Sequence, residues 1–312
     1  MKILVPSTVD LAGELHPLVQ VESYDPSAPI PGEHRDAEAL VTWGNSPESL
    51  DSIARLERLR WVQALSAGVD HVLKIDFPDG VIVTSGSGLH DRTVTEHATT
   101  LALTLLRRMP EAAAAQARHE WSSEIGGVQP LRPEGRVTSF IDANVTIWGF
   151  GNIGQNLAGV LSMLGARVTG VARSAGERGG FPVVAESELE ALLETTDVLI
   201  MVLPSTDETR HALDAARLAR LPRHAYVVNV GRGSTLDEDA LAAALRSGEL
   251  AGAALDVTET EPLPASSELW DVPNLLITPH AAGGRPDGAS ALIRENLHAL
   301  LAGEPLRNVV ER

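Results

Sequence analysis

Residues 145–154 read VTIWGFGNIG, and no other ten residues restrict the fold as tightly. A β-branched and aromatic run, the signature of a buried strand, is followed at once by Gly149, Phe150, Gly151, Asn152, Ile153 and Gly154. The helix-forming stretch QNLAGVLSML comes next. Alone, G-x-G-x-x-G is a weak pattern, but between a strand and a helix it specifies a βαβ unit. Gly149 permits the tight turn, Gly151 lets a pyrophosphate approach the backbone, and Gly154 lets the helix pack against the strand. The N–H groups of Asn152 and Ile153, together with the helix dipole, then attract phosphate.

The rest of the chain repeats that rhythm. Short apolar runs at 3–6, 39–43, 60–65 and 81–85 read as buried strands, with a helix expected over 46–59. Strand-like runs resume at 145–150, 166–172, 197–203, 225–230, 250–257 and 274–279, separated by helical stretches such as 186–196 and 237–248. Alternation of this kind argues for parallel sheets built from βαβ units. The fold class expected is therefore α/β, with two doubly wound parallel-sheet domains. Residues 92–121 read as one long helix interrupted only by Pro110, and 286–303 as a final helix ended by Gly303. GERGG (176–180) is expected to be a flexible surface loop.

Composition narrows the partners. The 312 residues carry 42 acidic against 25 basic side chains, a formal net charge of −17, which opposes nucleic acid and anionic membrane. Any anionic substrate needs a local positive feature. Lys2 and Lys74 are the only lysines, so that feature must be an arginine or a helix N-terminus. With no cysteine, disulfides, thiolate metal sites and thiol catalysis are all excluded, and no metal is called for. The apolar run in MKILVPS is too short for a signal peptide and no stretch approaches a membrane span, so a cytoplasmic enzyme is expected.

The second strand of the glycine-loop unit ends in VARS. A carboxylate about 20 residues past such a loop commonly holds the adenine ribose and repels a 2′-phosphate. Here Ala172 removes the repulsion, Arg173 offers a fork of donors matched to phosphate, and Ser174 adds a neutral hydroxyl. The stretch predicts NADP(H) as the preferred cofactor, with NAD(H) possible.

Three further stretches fall at or just past strand ends, where doubly wound sheets place their sites: NVGRG (229–233), LDVTETEPLP (255–264) and TPHAAGG (278–284). They contribute Arg232, Glu261 and His280. Taken with SAGVDHV (66–72), the TEHA start of the long helix, GFGNIG, LPSTDET (203–209) and LWDVPNLLITPH, they resemble the D-isomer-specific 2-hydroxyacid dehydrogenases over most of the chain.

That resemblance implies a Rossmann cofactor domain at 93–285 and a flavodoxin-like substrate domain made of 1–92 and 286–312, closing over the bound pair. It implies that Arg232 binds the substrate carboxylate and polarises the 2-oxo group. His280 exchanges a proton with the substrate oxygen, and Glu261 pairs with His280 and raises its pKa. By the same resemblance Ala67 and Gly68 clamp the carboxylate through their backbone, and Leu203, Pro204 and Thr209 line the cofactor. Val230 and Asp256 lie toward the nicotinamide, with Asp256 a carboxamide acceptor. Trp43, Gly44 and Asn45 follow a strand where the substrate side chain would be selected. A homodimer is implied, with 119–132 reaching toward the partner subunit. No residues are left over for a regulatory domain, so amino-acid feedback is not expected. The implied reaction is reduction of a small 2-oxo acid of the glyoxylate or hydroxypyruvate type to a D-2-hydroxy acid. An NAD-linked, phosphoglycerate-like dehydrogenase and a nucleotide-sensing corepressor stay open as alternatives.

Overall fold

The computed structural model describes residues 1–11, 15–133 and 135–311. The remaining residues (12–14, 134 and 312), which the expected domain ranges include, lie outside the described residues. The chain divides into two compact units, Met1–His90 with Arg285–Arg312, and Asp91–Gly284.

The first unit holds five parallel strands: β1 (Lys2–Pro6), β2 (Gln20–Tyr24), β3 (Ala39–Thr42), β4 (Trp61–Ala64) and β5 (Ile82–Thr84), in the order β2-β1-β3-β4-β5. This is the flavodoxin-like doubly wound order. Alternate residues serve opposite faces. Leu4, Leu40 and Val62 pack with Ile53 and Leu56 on one side, while Ile3, Val5, Val41 and Trp61 pack on the other. With both faces covered, β1, β3 and β4 are largely apolar, while the edge strand β2 (QVESY) is mostly exposed. Helix α1 spans only Pro47–Ile53, half the length expected, with the Ser46 hydroxyl accepting from the Ser49 N–H at its start.

The second unit opens with α2 (Asp91–Leu106) and α3 (Met109–Ala117). The expected single helix over 92–121 is thus two. The break falls at Arg107 and Arg108, with Arg108 in the left-handed region at φ 53°. Pro110 sits in the first turn of α3, where its missing N–H leaves no helical bond unmade. The sheet then assembles from β6 (Asn144–Trp148), α4 (Asn152–Met163), β7 (Arg167–Ala172), β8 (Gly176–Arg178), β9 (Phe181–Ala185), α5 (Leu189–Leu193), β10 (Val198–Met201), α6 (Ala215–Leu218), β11 (Tyr226–Asn229), α7 (Glu238–Ser247), β12 (Gly252–Leu255) and β13 (Leu275–Ile277). Its order is β13-β12-β11-β10-β6-β7-β9-β8, parallel except for β8 against β9. Without β8 this is the Rossmann order, and it reverses direction between β6 and β10, where such sheets bind ligands.

GERGG is not a loop. Gly176–Arg178 pairs antiparallel with Phe181–Ala185 around Gly179 (φ 60°) and Gly180 (φ 82°). Two consecutive positive φ values make the two-residue hairpin turn whose twist matches its strands, and a Gly-Gly pair favours it. Helix α8 (Ala289–Ala302), stopped by Gly303 in the left-handed conformation, returns to the first unit and buries Leu292, Ile293 and Leu297 against Ile3, Val5 and Trp61.

Candidate active site

The glycine loop is fixed by what its missing side chains would strike. Gly149 has φ 103°, and a Cβ there would lie 2.5 Å from the Val202 carbonyl oxygen. A Cβ on Gly154 would lie 2.6 Å from the Gly149 carbonyl oxygen. A Cβ on Gly151 meets no protein atom within 4 Å. Two of the glycines therefore close the fold, and the third leaves room for something outside it. No side chain caps α4 at Gly151, so its first-turn amides keep their capacity for an anion. Phe150, expected at the cofactor, has its ring buried beneath Gly170, where a Cβ would fall 2.4 Å from ring atoms. Only its backbone faces the loop's outer side.

At the end of β7, Ala172 is half-buried while Arg173 and Ser174 are exposed. A residue that the sequence reading missed reaches Ser174: Arg178 in β8 donates from Nη2 to the Ser174 carbonyl (3.2 Å) and Oγ (3.0 Å), and from Nη1 to the Phe150 carbonyl (3.3 Å). Thr95 of α2 was missed as well. Its hydroxyl is buried without a hydrogen-bond partner, in a cleft it lines with Asn156 of α4. An orphaned hydroxyl, an open Gly151 and an uncapped helix start together fit a dinucleotide running over the first turn of α4.

Arg232 follows β11 and is held between two glycines with no room for side chains. A Cβ on Gly231 would lie 2.6 Å from the Leu203 backbone nitrogen and oxygen, and one on Gly233 would lie 2.0 Å from the Thr258 carbonyl carbon. Those close approaches lock NVGRG between the loops after β10 and β12. Asn229 Nδ2 and Thr235 Oγ1 both donate to the Arg232 carbonyl, fixing the backbone that carries the guanidinium.

His280 Nδ1 lies 2.7 Å from Glu261 Oε2, and Glu261 Oε1 accepts the Thr258 N–H at 3.1 Å. The bond to Glu261 raises the His280 pKa above its ordinary value, against the opposing pull of burial, with the Glu261 charge adding to the rise and Arg232 reducing it. Burial pushes Glu261 up, but the bonds from His280 and Thr258 and the charges of His280 and Arg232 outweigh it and hold the carboxylate below its ordinary range. Arg232, Glu261 and His280 thus act on one another electrostatically. The imidazole is about half exposed, with Nε2 left for a substrate (side-chain exposure 48%).

Asp256, expected as a carboxamide acceptor, has internal partners as well. Its side chain is wholly buried, and Oδ1 accepts from Thr278 Oγ1 (2.6 Å) and the Ala281 N–H (2.8 Å), while Oδ2 accepts the Ala282 N–H (3.0 Å). His97 Nε2 of α2 lies 3.1 Å from Oδ1. The carboxylate anchors the turn that carries His280, which itself has φ 51°. Thr209, expected to line the cofactor, turns its hydroxyl back to the Pro204 carbonyl at 2.6 Å and so shapes that loop from within. Leu203 and Val230 are buried at the ends of their strands.

In the first unit, Ala67 is exposed and Gly68 half-buried in the turn after β4. Trp43 stacks on His90, whose Nε2 lies 2.7 Å from the Leu65 carbonyl. Asn45 turns inward: Oδ1 accepts the Trp43 N–H, and Nδ2 donates to Tyr24 Oη and Ser49 Oγ. It closes the turn after β3.

Residues 99–282 match the family described as D-isomer specific 2-hydroxyacid dehydrogenase, NAD binding domain. Glyoxylate/hydroxypyruvate reductase A of Klebsiella pneumoniae is 36% identical over 296 residues, covering 90% of this chain and 88% of that protein. A D-isomer specific 2-hydroxyacid dehydrogenase of Xanthobacter autotrophicus Py2, solved with NADPH and MES, is 32% identical with a TM-score of 0.81, covering 99% of this chain and 97% of that one. The NADPH-dependent glyoxylate/hydroxypyruvate reductase of Sinorhizobium meliloti, solved with NADP and sulfate, is 29% identical with a TM-score of 0.82, over 99% and 98% of the two chains.

Proposed function

The chain belongs to the D-isomer-specific 2-hydroxyacid dehydrogenases, NAD(P)-dependent oxidoreductases, and from that premise we propose that it is an NADPH-preferring reductase of small 2-oxo acids such as glyoxylate and hydroxypyruvate. The observation that carries the reading is the His280–Glu261 pair, set electrostatically against Arg232 at the carboxyl ends of a Rossmann sheet.

The nicotinamide cofactor, when bound, supplies the hydride. The protein must then hold the acid, polarise its carbonyl and deliver a proton to the oxygen. Arg232 is the planar cation suited to a carboxylate and to the charge that develops on the oxygen. His280, whose protonated form Glu261 favours, gives its proton to that oxygen in reduction and takes it back in oxidation. Glu261 also accepts a hydrogen bond from Nδ1–H, which leaves Nε2–H as the acid and sets the ring's orientation. Ala67 and Gly68 offer backbone N–H donors suited to a carboxylate.

The preference for NADPH rests on the end of β7, where Ala172, Arg173 and Ser174 stand in place of an acid. The NADP(H)-bound relatives from Xanthobacter and Sinorhizobium support it. Steady-state oxidation of NADPH and NADH, side by side with glyoxylate, hydroxypyruvate and pyruvate, tests both halves of the proposal. A higher kcat/KM with NADPH is expected. Equal or better use of NADH would defeat the cofactor assignment, and no turnover with any acid would defeat the reductase.

A homodimer in the cytoplasm completes the reading. Trp121 (95% exposed) and Val128 (103% exposed), with Leu131 and Met109, crowd large apolar side chains into residues 109–131, a surface suited to a second copy. Light scattering on the purified chain should return twice the 33.1 kDa of one subunit.

A further inference from the structure

The β8–β9 hairpin has no counterpart in the chemistry assigned so far, yet it carries a half-buried arginine into the nucleotide end of the sheet. We propose that Arg178 is the second half of the 2′-phosphate site. It would fasten the end of β7 to the glycine loop and present its remaining donors to the phosphate beside Arg173. The inference rests on the NADPH reading above and names a residue for it that the strand-end stretch does not contain.

Three observations carry it. The first is connectivity: one guanidinium holds the Ser174 carbonyl, the Ser174 hydroxyl and the Phe150 carbonyl. It therefore bridges the two segments that flank an adenosine ribose in a Rossmann site, the end of the second strand and the glycine loop. The second is geometry. Gly179 and Gly180 form the tight turn directly after Arg178, and a Cβ on Gly179 would lie 3.1 Å from Gln155 Oε1 in the first turns of α4. The hairpin is thus seated on the phosphate-binding helix, which fixes where the guanidinium can go. The third is donor capacity. A guanidinium has five N–H groups, and the three bonds come from Nη1 and Nη2 alone. Nε and one Nη1 hydrogen remain for an anion.

Charge selects that anion. Arg178 and Arg173 stand on a protein of net charge −17, so the strand end is a local reversal of the long-range field. The strand end Ala172, Arg173 and Ser174 offers a ribose 2′-hydroxyl no carboxylate of its own, whereas a 2′-phosphate would find the held guanidinium of Arg178 and the exposed one of Arg173. Ser174 gains a defined role as well. With its oxygen accepting from Arg178, its own hydroxyl hydrogen is free to donate to the phosphate.

Calorimetric titration of the full chain with adenosine 2′,5′-bisphosphate and with 5′-AMP isolates this site from turnover, and the ratio of kcat/KM for NADPH over NADH gives a second readout. The unmodified protein should favour the bisphosphate. Arg178→Ala should lower that preference about ten- to hundredfold, the scale of a charged hydrogen bond. Arg178→Lys keeps the charge but cannot hold both segments, so it should fall between the two. It also decides the matter should the alanine variant fail to fold. Should both variants keep the full preference, Arg178 is no part of the site, and the NADPH reading stands on Arg173 alone. Should the unmodified chain show no preference, the NADPH reading fails first and this inference falls with it.

Discussion

At the scale of single residues, the sign of the pH dependence follows from the His280–Glu261 bond. That bond raises the His280 pKa, so the imidazolium persists to higher pH than a free histidine would allow. Reduction needs the protonated ring. Its kcat/KM should therefore be level at low pH and fall as pH rises through the raised pKa, while oxidation rises over the same range. In Glu261→Gln the fall should begin at lower pH, and His280→Gln should lower kcat by about 10²–10⁴-fold. A pH profile of Glu261→Gln that overlies the unmodified one would remove Glu261 from the mechanism. Asp256 makes a different prediction, because its carboxylate anchors the turn carrying His280. Asp256→Asn should lower kcat at least about tenfold while hardly moving the KM for NADPH, as loss of a buried acceptor misplaces the acid. A raised KM with unchanged kcat would instead mark it as a cofactor ligand. The grouping of Arg232, Glu261 and His280 was legible in the sequence because each sits in a contiguous stretch at a strand end. Arg178, Thr95 and His97 were not. Their settings are fixed by a hairpin, by a buried face of α2 and by a contact spanning 181 residues from His97 to Thr278, none of which leaves a local pattern.

Among elements, the glycine loop separates fold from function. Gly149→Ala drives a Cβ into the Val202 carbonyl at a positive φ, and should destabilise the protein by about 3 kcal/mol or more. Gly151→Ala meets no protein atom and adopts an ordinary extended conformation, so it should cost about 1 kcal/mol at most. It should nevertheless weaken nucleotide binding at least about tenfold by blocking close approach of the pyrophosphate. Urea unfolding and a nucleotide titration on both variants would separate the effects, and equal loss of stability would contradict the distinction. The βαβ rhythm that predicted two doubly wound sheets is the part of the fold read most fully from sequence, because buried parallel strands are continuous apolar runs. The elements missed were those with weaker patterns. Strand β2 is mostly exposed and reads QVESY, too polar for a buried run. The Gly-Gly turn at 179–180 was legible as a hairpin signal, but short polar GER on one side made it look like a loop. The break at Arg107 and Arg108 arose because Pro110 belongs to the start of a new helix and not to the interruption of an old one.

For the molecule as a whole, the chain order poses a problem that its buried polar groups solve. The first unit is made from the two ends of the sequence, so α8 must find its sheet after the intervening 91–284 has been threaded elsewhere. Apolar burial of Leu292, Ile293 and Leu297 supplies affinity but little register, since one apolar helix face can slide against another. Asn296 supplies the register. It is fully buried in the middle of α8, donates from Nδ2 to Gln63 Oε1 at 2.7 Å and to the Arg307 carbonyl at 3.1 Å, and accepts the Arg307 N–H at 2.7 Å. Gln63 Oε1 also accepts from Thr84 Oγ1, which in turn accepts from Trp61 Nε1, so one side chain on α8 is wired to β4, β5 and the C-terminal segment. Every member is satisfied, the condition under which a buried polar network specifies one arrangement. Asn296→Ala leaves the Arg307 N–H without its acceptor and opens a small cavity, and should cost about 2–4 kcal/mol. Because every group that Asn296 bonds belongs to the first unit, amide exchange in that variant should quicken in β1, β3, β4 and β5 while β6, β10 and β11 keep their protection. Uniform loss of protection across both sheets would mean that the network does not act on the first unit alone, and an unchanged urea midpoint would mean that apolar packing sets the register without it.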